Sequence, residues 1–207
     1  MSKLKQLLII AFTLMLAITL TACAQKDEKQ EHHAKYAPKN ATPIHKIKIF
    51  ESSEKGKELT ESEMRDKLKT YLDANNDIID NKYVLQHKLD QQYDGKQKVS
   101  DQLDTDLRDL ANLTTKNQMN FEAFLKDNKV PSNQKEDIER MSKYFSAVNY
   151  KAARADQQLE ELGYSPQKTV NVVDVPTNYA GDVNLKQQKK IKTFLKKQNL
   201  PTKAIDK

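Results

Sequence analysis

Three stretches of the chain place residues in alternating steps of four and three, the spacing that lays one stripe along a helix and packs it against neighbouring helices. The first stripe is Met64, Leu68, Tyr71, Asn75, Ile78, Lys82, Leu85 and Leu89. The second is Leu103, Leu107, Leu110, Thr114, Asn117, Phe121 and Phe124; the third is Ile138, Met141, Phe145, Val148, Ala152, Ala155, Leu159 and Leu162. Helix breakers are scarce, with four Gly and six Pro in 207 residues, and beyond the N-terminal region they fall between the stripes, as at Gly95, Pro131 and Gly163. The pattern predicts a mainly α fold, an antiparallel three-helix bundle of coiled-coil type, each helix about 30 residues and so about 45 Å long.

Folding back near Lys96 would set Leu89 opposite Leu103, Leu85 opposite Leu107, Tyr71 opposite Phe121 and Leu68 opposite Phe124. A second reversal at Pro131 would set Phe124 against Ile138, Phe121 against Met141, Leu110 against Ala152 and Leu107 against Ala155. Local signals mark the ends. "TESE" at 60–63 is a capping box with Thr60 as N-cap and Glu63 reaching back. Ser132 is expected to cap the third helix and Gly163 to sit just past its end.

The stripes carry polar residues. Asn75 and Asn117 should share a layer, where a paired amide would fix register at a cost in stability; the alternative is a polar pocket for a ligand. Lys82 is expected to snorkel past the small Ala152. Two β-branched runs, "IHKIKIF" at 44–50 and "TVNVVDV" at 169–175, read as a small two-strand element flanking the bundle. "NLKQ" at 184–187 should cap a last helix with Leu185, Ile191, Phe194 and Leu195 on one side and Lys186, Lys189, Lys190, Lys192, Lys196 and Lys197 around the rest. The expected organisation is therefore a strand plus the three-helix bundle over 44–163, then a strand and the basic helix packing on it over 164–207.

The N-terminus carries a different message. Lys3 and Lys5 precede an apolar run from Leu7 to Leu20, followed by "TAC" and the chain's single cysteine, Cys23. This is the form of a secretory signal over residues 1–22. "LTAC" resembles the lipobox of bacterial lipoproteins, which implies cleavage between Ala22 and Cys23 and a diacylglyceryl thioether on Cys23, with or without an N-acyl chain. Two acyl chains would anchor the protein firmly to the outer face of the cytoplasmic membrane, facing the cell wall. With its only thiol lipidated, the protein would have no disulfide or thiol-redox chemistry. Residues 23–43 then read as a lipidated tether with almost nothing to bury, able to hold the folded part about 25 Å from the bilayer. His32 and His33 lie in this tether without further ligands at regular spacing, so they read as solvated and no metal site is assigned.

Charge is uneven. Removing Lys3 and Lys5 leaves 33 basic and 29 acidic residues, a net charge of +4. From Gly163 to Lys207 there are nine Lys and three Asp, so the tail carries +6 and residues 23–162 carry −2. The Lys-rich, Arg-poor, Trp-free composition fits an AT-rich genome, and with the lipobox a Gram-positive source.

The segments "NQMNFEAFLKDNKVPS", "LDANNDIIDNKY" and "VVDVPTNYAGDVNLKQQKKIKTFLKKQ", with the lipobox, resemble the NDxxF-motif lipoproteins of Gram-positive bacteria over nearly the whole mature chain. The motif falls on Asn117, Gln118, Met119, Asn120 and Phe121, with Gln118 where the family has Asp. Asn117 and Phe121 lie on the second stripe, which marks the motif as structural, and position 118 is expected on its solvated flank. The resemblance implies a surface lipoprotein without an established activity.

No Gly-rich phosphate loop, CxxC or Gly-x-Ser-x-Gly occurs, and "DANND" at 73–77 departs from a calcium loop at Ile78 and Val84. No catalytic residues and no free cofactor are assigned. Two readings remain. In one, the bundle presents its basic helix to anionic envelope material such as teichoic acids, phospholipid head groups or an acidic protein. In the other it is an adaptor for an envelope protein or for a second copy of itself, through an apolar stripe at Leu72, Ile79 and Tyr83. Nucleic acid is disfavoured by the expected compartment.

Overall fold

The structure is a computed structural model, and it describes residues 37–92, 99–164 and 170–207. The signal segment, Cys23, most of the tether and the reversal at Lys96 lie outside the described residues. The described chain is helical: α1 (Glu61–Gln92), α2 (Asp101–Asp127), α3 (Lys135–Val148), α4 (Ala155–Tyr164), the short α5 (Ala180–Val183) and α6 (Leu185–Lys197). Lys88 meets Asp106 at 3.3 Å while Tyr71 stacks on Phe121 with centroids 3.8 Å apart, so α1 and α2 run antiparallel. Gln118 meets Ser142, and Thr115 meets Ala153, which sets α3 and α4 antiparallel to α2.

Every residue of the first two stripes is buried. In the third, Val148 and Leu162 are only partly covered. The capping box forms as expected: Thr60 N–H donates to Glu63 Oε2 at 2.9 Å and Glu63 N–H to Thr60 Oγ1 at 3.2 Å. Ser100 caps α2 through Leu103 N–H at 3.3 Å, and Asn184 caps α6 through Gln187 N–H at 3.0 Å. Ser132 is not the cap of α3. It lies in a turn closed by Gln134 N–H to Pro131 O, and Gln134 takes the N-cap position because Pro131 must turn the chain first. Gly163 does not end the third segment either; α4 continues to Tyr164.

The expected long third helix is broken. Between α3 and α4 the chain makes a turn at Asn149–Lys151 and a short 3-10 segment, Ala152–Arg154. Neither Gly nor Pro sits at the break. Lys82 sits at this break and does not snorkel to water: it is 2% exposed, and its ammonium donates to the Val148 carbonyl. A cation inserted at the last carbonyls of a helix removes an acceptor from the i→i−4 ladder and favours termination there. Burial pushes the Lys82 ammonium down to about 7, opposed by the charge of Asp174.

Nor do the two β-like runs pair. Ile44–Lys46 forms a 3-10 turn and residues 47–50 run extended across the helices. Phe50 is fully buried, with its N–H donating to Asn117 Oδ1 at 2.8 Å and its C=O accepting from Asn120 Nδ2 at 2.9 Å. In the second run Val172 N–H donates to Gln86 Oε1 and Asn171 N–H to Gln158 Oε1, while Asn171 Oδ1 accepts from Val173 and Asp174 N–H in an Asx turn. Helix side chains satisfy the backbone groups that a strand partner would have satisfied. Among the described residues the only bridge is an isolated parallel one, Glu58 with Lys129. Gly56 opens that contact at φ 67°, and its N–H donates to Asp127 O at 2.7 Å.

The apolar stripe expected on Leu72, Ile79 and Tyr83 is not free. Leu72 and Ile79 are 2% and 3% exposed, and they and Tyr83 belong to a cluster completed by Ile191, Phe194, Leu195, Leu200, Ala204 and Ile205 from the C-terminus. α6 ends in a Schellman motif: Leu200 N–H donates to Leu195 O, Asn199 N–H to Lys196 O, and Asn199 adopts φ 55°. This turns the last residues back along α1, where Lys207 binds Asp80.

Lys82 makes the fold's stability depend on pH. Its ordinary value near 10.5 applies to the unfolded chain and about 7 to the folded one. Between these values the unfolded state holds the extra proton, so this residue adds stability as pH rises and the contribution falls away toward neutrality. Urea midpoints of wild type and Lys82→Met at about pH 7 and about pH 9 should therefore diverge, wild type gaining on the variant at the higher pH. Parallel pH curves would show that Lys82 titrates like a solvated lysine.

Candidate functional site

α6 is amphipathic: Ile191, Phe194 and Leu195 face the core, which commits the opposite side to water, whereas Leu185, expected on the apolar side, is 83% exposed at the first position of the helix, beyond the reach of the core. Of the six lysines singled out in the sequence, Lys186, Lys189, Lys190, Lys196 and Lys197 are exposed and Lys192 is partly covered. They divide into two groups. Lys192 reaches Asp206 at 2.6 Å, and its hydrogen bond, helped by Thr202 and the charges of Lys192 and Lys196, holds the Asp206 carboxyl below its ordinary value. Lys186, Lys189, Lys190 and Lys197 instead line a groove of 710 Å³ between α6 and the first turns of α3.

The opposite wall belongs to residues that sequence reasoning did not assign to a site. Arg140 lies over the first turn of α3, paired with Glu136 and Asp137. Asn133 Nδ2 donates to Glu61 Oε1 at 2.8 Å. The groove's two acidic residues, Glu61 and Asp137, thus have partners on their own wall, and the lysines across from them present positive charge. Between the walls sits Gln134, 2% exposed, with neither side-chain Oε1 nor Nε2 hydrogen-bonded. Its side chain does not cap α3, so the positive end of that helix dipole also faces this region. Four lysines, a helix N-terminus and a buried unpaired amide in one groove favour an anion with several oxygen acceptors. The sequence signal for Gln134 was present only as an N-cap region, and that signal pointed to Ser132.

The motif residues occupy another part of the fold. Asn117 and Asn120 hold the backbone of Phe50, and Phe121 meets the Phe50 ring edge-on at 5.1 Å. Gln118 is not simply solvated: Oε1 accepts from Tyr71 OH at 2.6 Å, and Nε2 donates to Glu122 at 2.6 Å and Ser142 Oγ at 3.1 Å. Burial raises the Tyr71 phenol well above its ordinary value, so the group stays protonated and must donate. Asn75 and Asn117 are both buried at this level, but their hydrogen bonds run elsewhere. Asn75 Nδ2 donates to Tyr71 O and Asn75 Oδ1 accepts from Asn149 Nδ2 at 2.8 Å, while Asn117 Oδ1 serves Phe50. The extended segment at 47–50 claims the acceptor that an amide pair would have used.

No protein-family model matches the chain, and no curated protein or solved structure matches it.

The Phe50 clamp predicts a specific cost. Asn117→Ala leaves the buried Phe50 N–H without its acceptor and should lower unfolding free energy by about 1–3 kcal/mol in denaturant titration. Asn120→Ala, at a partly covered position, should cost less. An Asn117→Ala protein as stable as wild type would mean that the segment carrying Phe50 is not held as described.

Proposed function

We propose that the protein is a lipid-anchored component of the Gram-positive cell envelope whose α6 groove binds phosphate-rich anionic polymers of the wall, of the teichoic acid type, without catalysing a reaction. The observation that carries the reading is the convergence of Lys186, Lys189, Lys190 and Lys197 on one groove with Gln134 and the N-terminus of α3. The lipobox at residues 20–23 and the resemblance to NDxxF-motif lipoproteins support the location, and the +6 tail supports the sign of the ligand. A repeating polyanion suits an open groove better than a closed pocket, since successive charges can meet successive lysines along the helix.

The reading is tested by binding lipid-free 24–207 to purified cell-wall sacculi with and without their anionic polymers, across a salt series. Binding should require the polymers and weaken with salt, because exposed charges are screened within about 10 Å at 0.1 M. Replacing Lys186, Lys189 and Lys190 together by Gln should weaken it about tenfold. Lys192→Gln with Lys196→Gln, on the side that faces Asp206, should do less; equal losses from both sets would remove the groove from the account. For the anchor, Cys23→Ala should move the protein from the membrane fraction to the soluble fraction.

A further inference from the structure

The break between α3 and α4 opens a second cavity, of 350 Å³, lined by residues distinct from those of the basic groove. Its walls include Asn75, Asn149, Tyr150, Arg154, Met119 and Gln118. Nothing in the envelope-binding reading uses it.

The directions of the Asn75 and Asn149 amides can be settled. The Tyr71 carbonyl can only accept, so Asn75 must turn its Nδ2 toward it, at 2.9 Å. Asn75 Oδ1 then faces Asn149, which must answer with its own Nδ2, at 2.8 Å. Flipping either amide would set oxygen against oxygen or nitrogen against nitrogen. Asn149 is left with Oδ1 unpaired although the residue is 5% exposed. A buried acceptor in a cavity wall calls for a donor, an N–H or O–H, from whatever fills the space.

Arg154 supplies the opposite chemistry. Its guanidinium lies 3.8 Å over the Tyr150 ring, and Tyr150 is in turn 4.8 Å from Tyr179. Arg154 Nη1 donates to the Tyr150 carbonyl at 3.5 Å, a long contact, and the stack leaves the remaining guanidinium N–H groups for a planar carboxylate, a bidentate fit that lysine cannot offer. Met119, 62% exposed and one of two large apolar side chains so exposed among the described residues, also borders the cavity. It is a flexible apolar contact suited to an aliphatic group.

We propose that this cavity binds a small ligand of the amino acid or short-peptide class, with its free carboxylate on Arg154, an N–H donor on Asn149 Oδ1 and an aliphatic side chain against Met119. Its size suits a dipeptide and excludes a folded partner.

The test is an NMR titration of the full chain in detergent with alanyl-leucine, with alanyl-leucine amide and with N-acetylglucosamine. Saturable shifts at the backbone amides of Asn149 and Arg154 are expected with the free dipeptide. Affinity should fall about tenfold or more for the amide, and by a similar factor in Arg154→Gln, whose melting temperature should be unchanged. Failure of the free dipeptide to saturate the signals by about 10 mM would leave the cavity to water and overturn the proposal. Equal binding of acid and amide, no effect of Arg154→Gln, or saturation by the sugar alone would overturn it as well.

Discussion

The fold depends on finding hydrogen-bond partners for backbone that crosses a helical core without belonging to a helix or a sheet. A buried peptide group cannot be left unpaired, and extended segments usually meet this demand by pairing edge to edge. Here amide side chains on the helices meet it. Asn117 and Asn120 hold Phe50, Asn128 accepts from Lys57 N–H and donates to Glu54 O, Gln86 holds Val172, and Asn81 holds Thr42 O. Each clamp fixes an extended segment at one register along a helix, because an amide offers a donor and an acceptor at defined positions. The packing of the first aromatic layer follows. Once Phe50 is held, its ring meets Phe121, Phe124 and Tyr71 edge-on and completes a cluster that the three stripes alone would not fill.

The polar layer has a second consequence. Asn75, Thr114, Asn117 and Asn149 lie between an aromatic cluster around Tyr71, Phe121 and Phe145 and an aliphatic one around Leu85, Leu107 and Leu159. A layer of amides between two apolar clusters penalises sliding, since a slipped helix would bury amides against hydrocarbon. The same layer is where the third segment breaks. Lys82 on the Val148 carbonyl and Asn149 turned inward to Asn75 both favour ending the helix here, and the space that opens is walled by polar groups instead of leucine. A register device and a ligand-sized cavity thus have one cause.

How much of this could be read from sequence follows from where each interaction lives. Stripes and caps are local: steps of four and three place Met64 to Leu89 and Leu103 to Phe124 in the core, and Thr60 with Glu63 needs only four residues to close. Lys82 reaching Val148 spans 66 residues, so nothing within "AVNYKAARA" signals the break. The two β-like runs misled for an instructive reason. Alternation of β-branched residues records that one side of an extended segment is buried, and it is silent about who takes the backbone hydrogen bonds. The six lysines were legible as a charged face, but their division between Asp206 and the groove depends on the last residues folding back along α1. Gln134 stood only near an N-cap signal that pointed to Ser132, and its unpaired amide left no trace in the sequence, because an unpaired buried amide is a property of the finished packing.

That fold-back also changes what the basic helix is. Read as sequence, a +6 segment at the end of a chain could be a flexible tail, which would lose conformational freedom with every contact it made. In the structure three apolar side chains of α6 are buried, its C-terminus is stopped by a Schellman turn, and the residues beyond are tied down by Lys192 with Asp206 and Lys207 with Asp80. The lysines therefore project from a fixed helix at fixed spacing, opposite a second fixed wall at the start of α3. Charges held in this way lose mainly their own side-chain freedom on meeting an anion, so the ordering of the backbone, the larger entropic cost, has been met by folding.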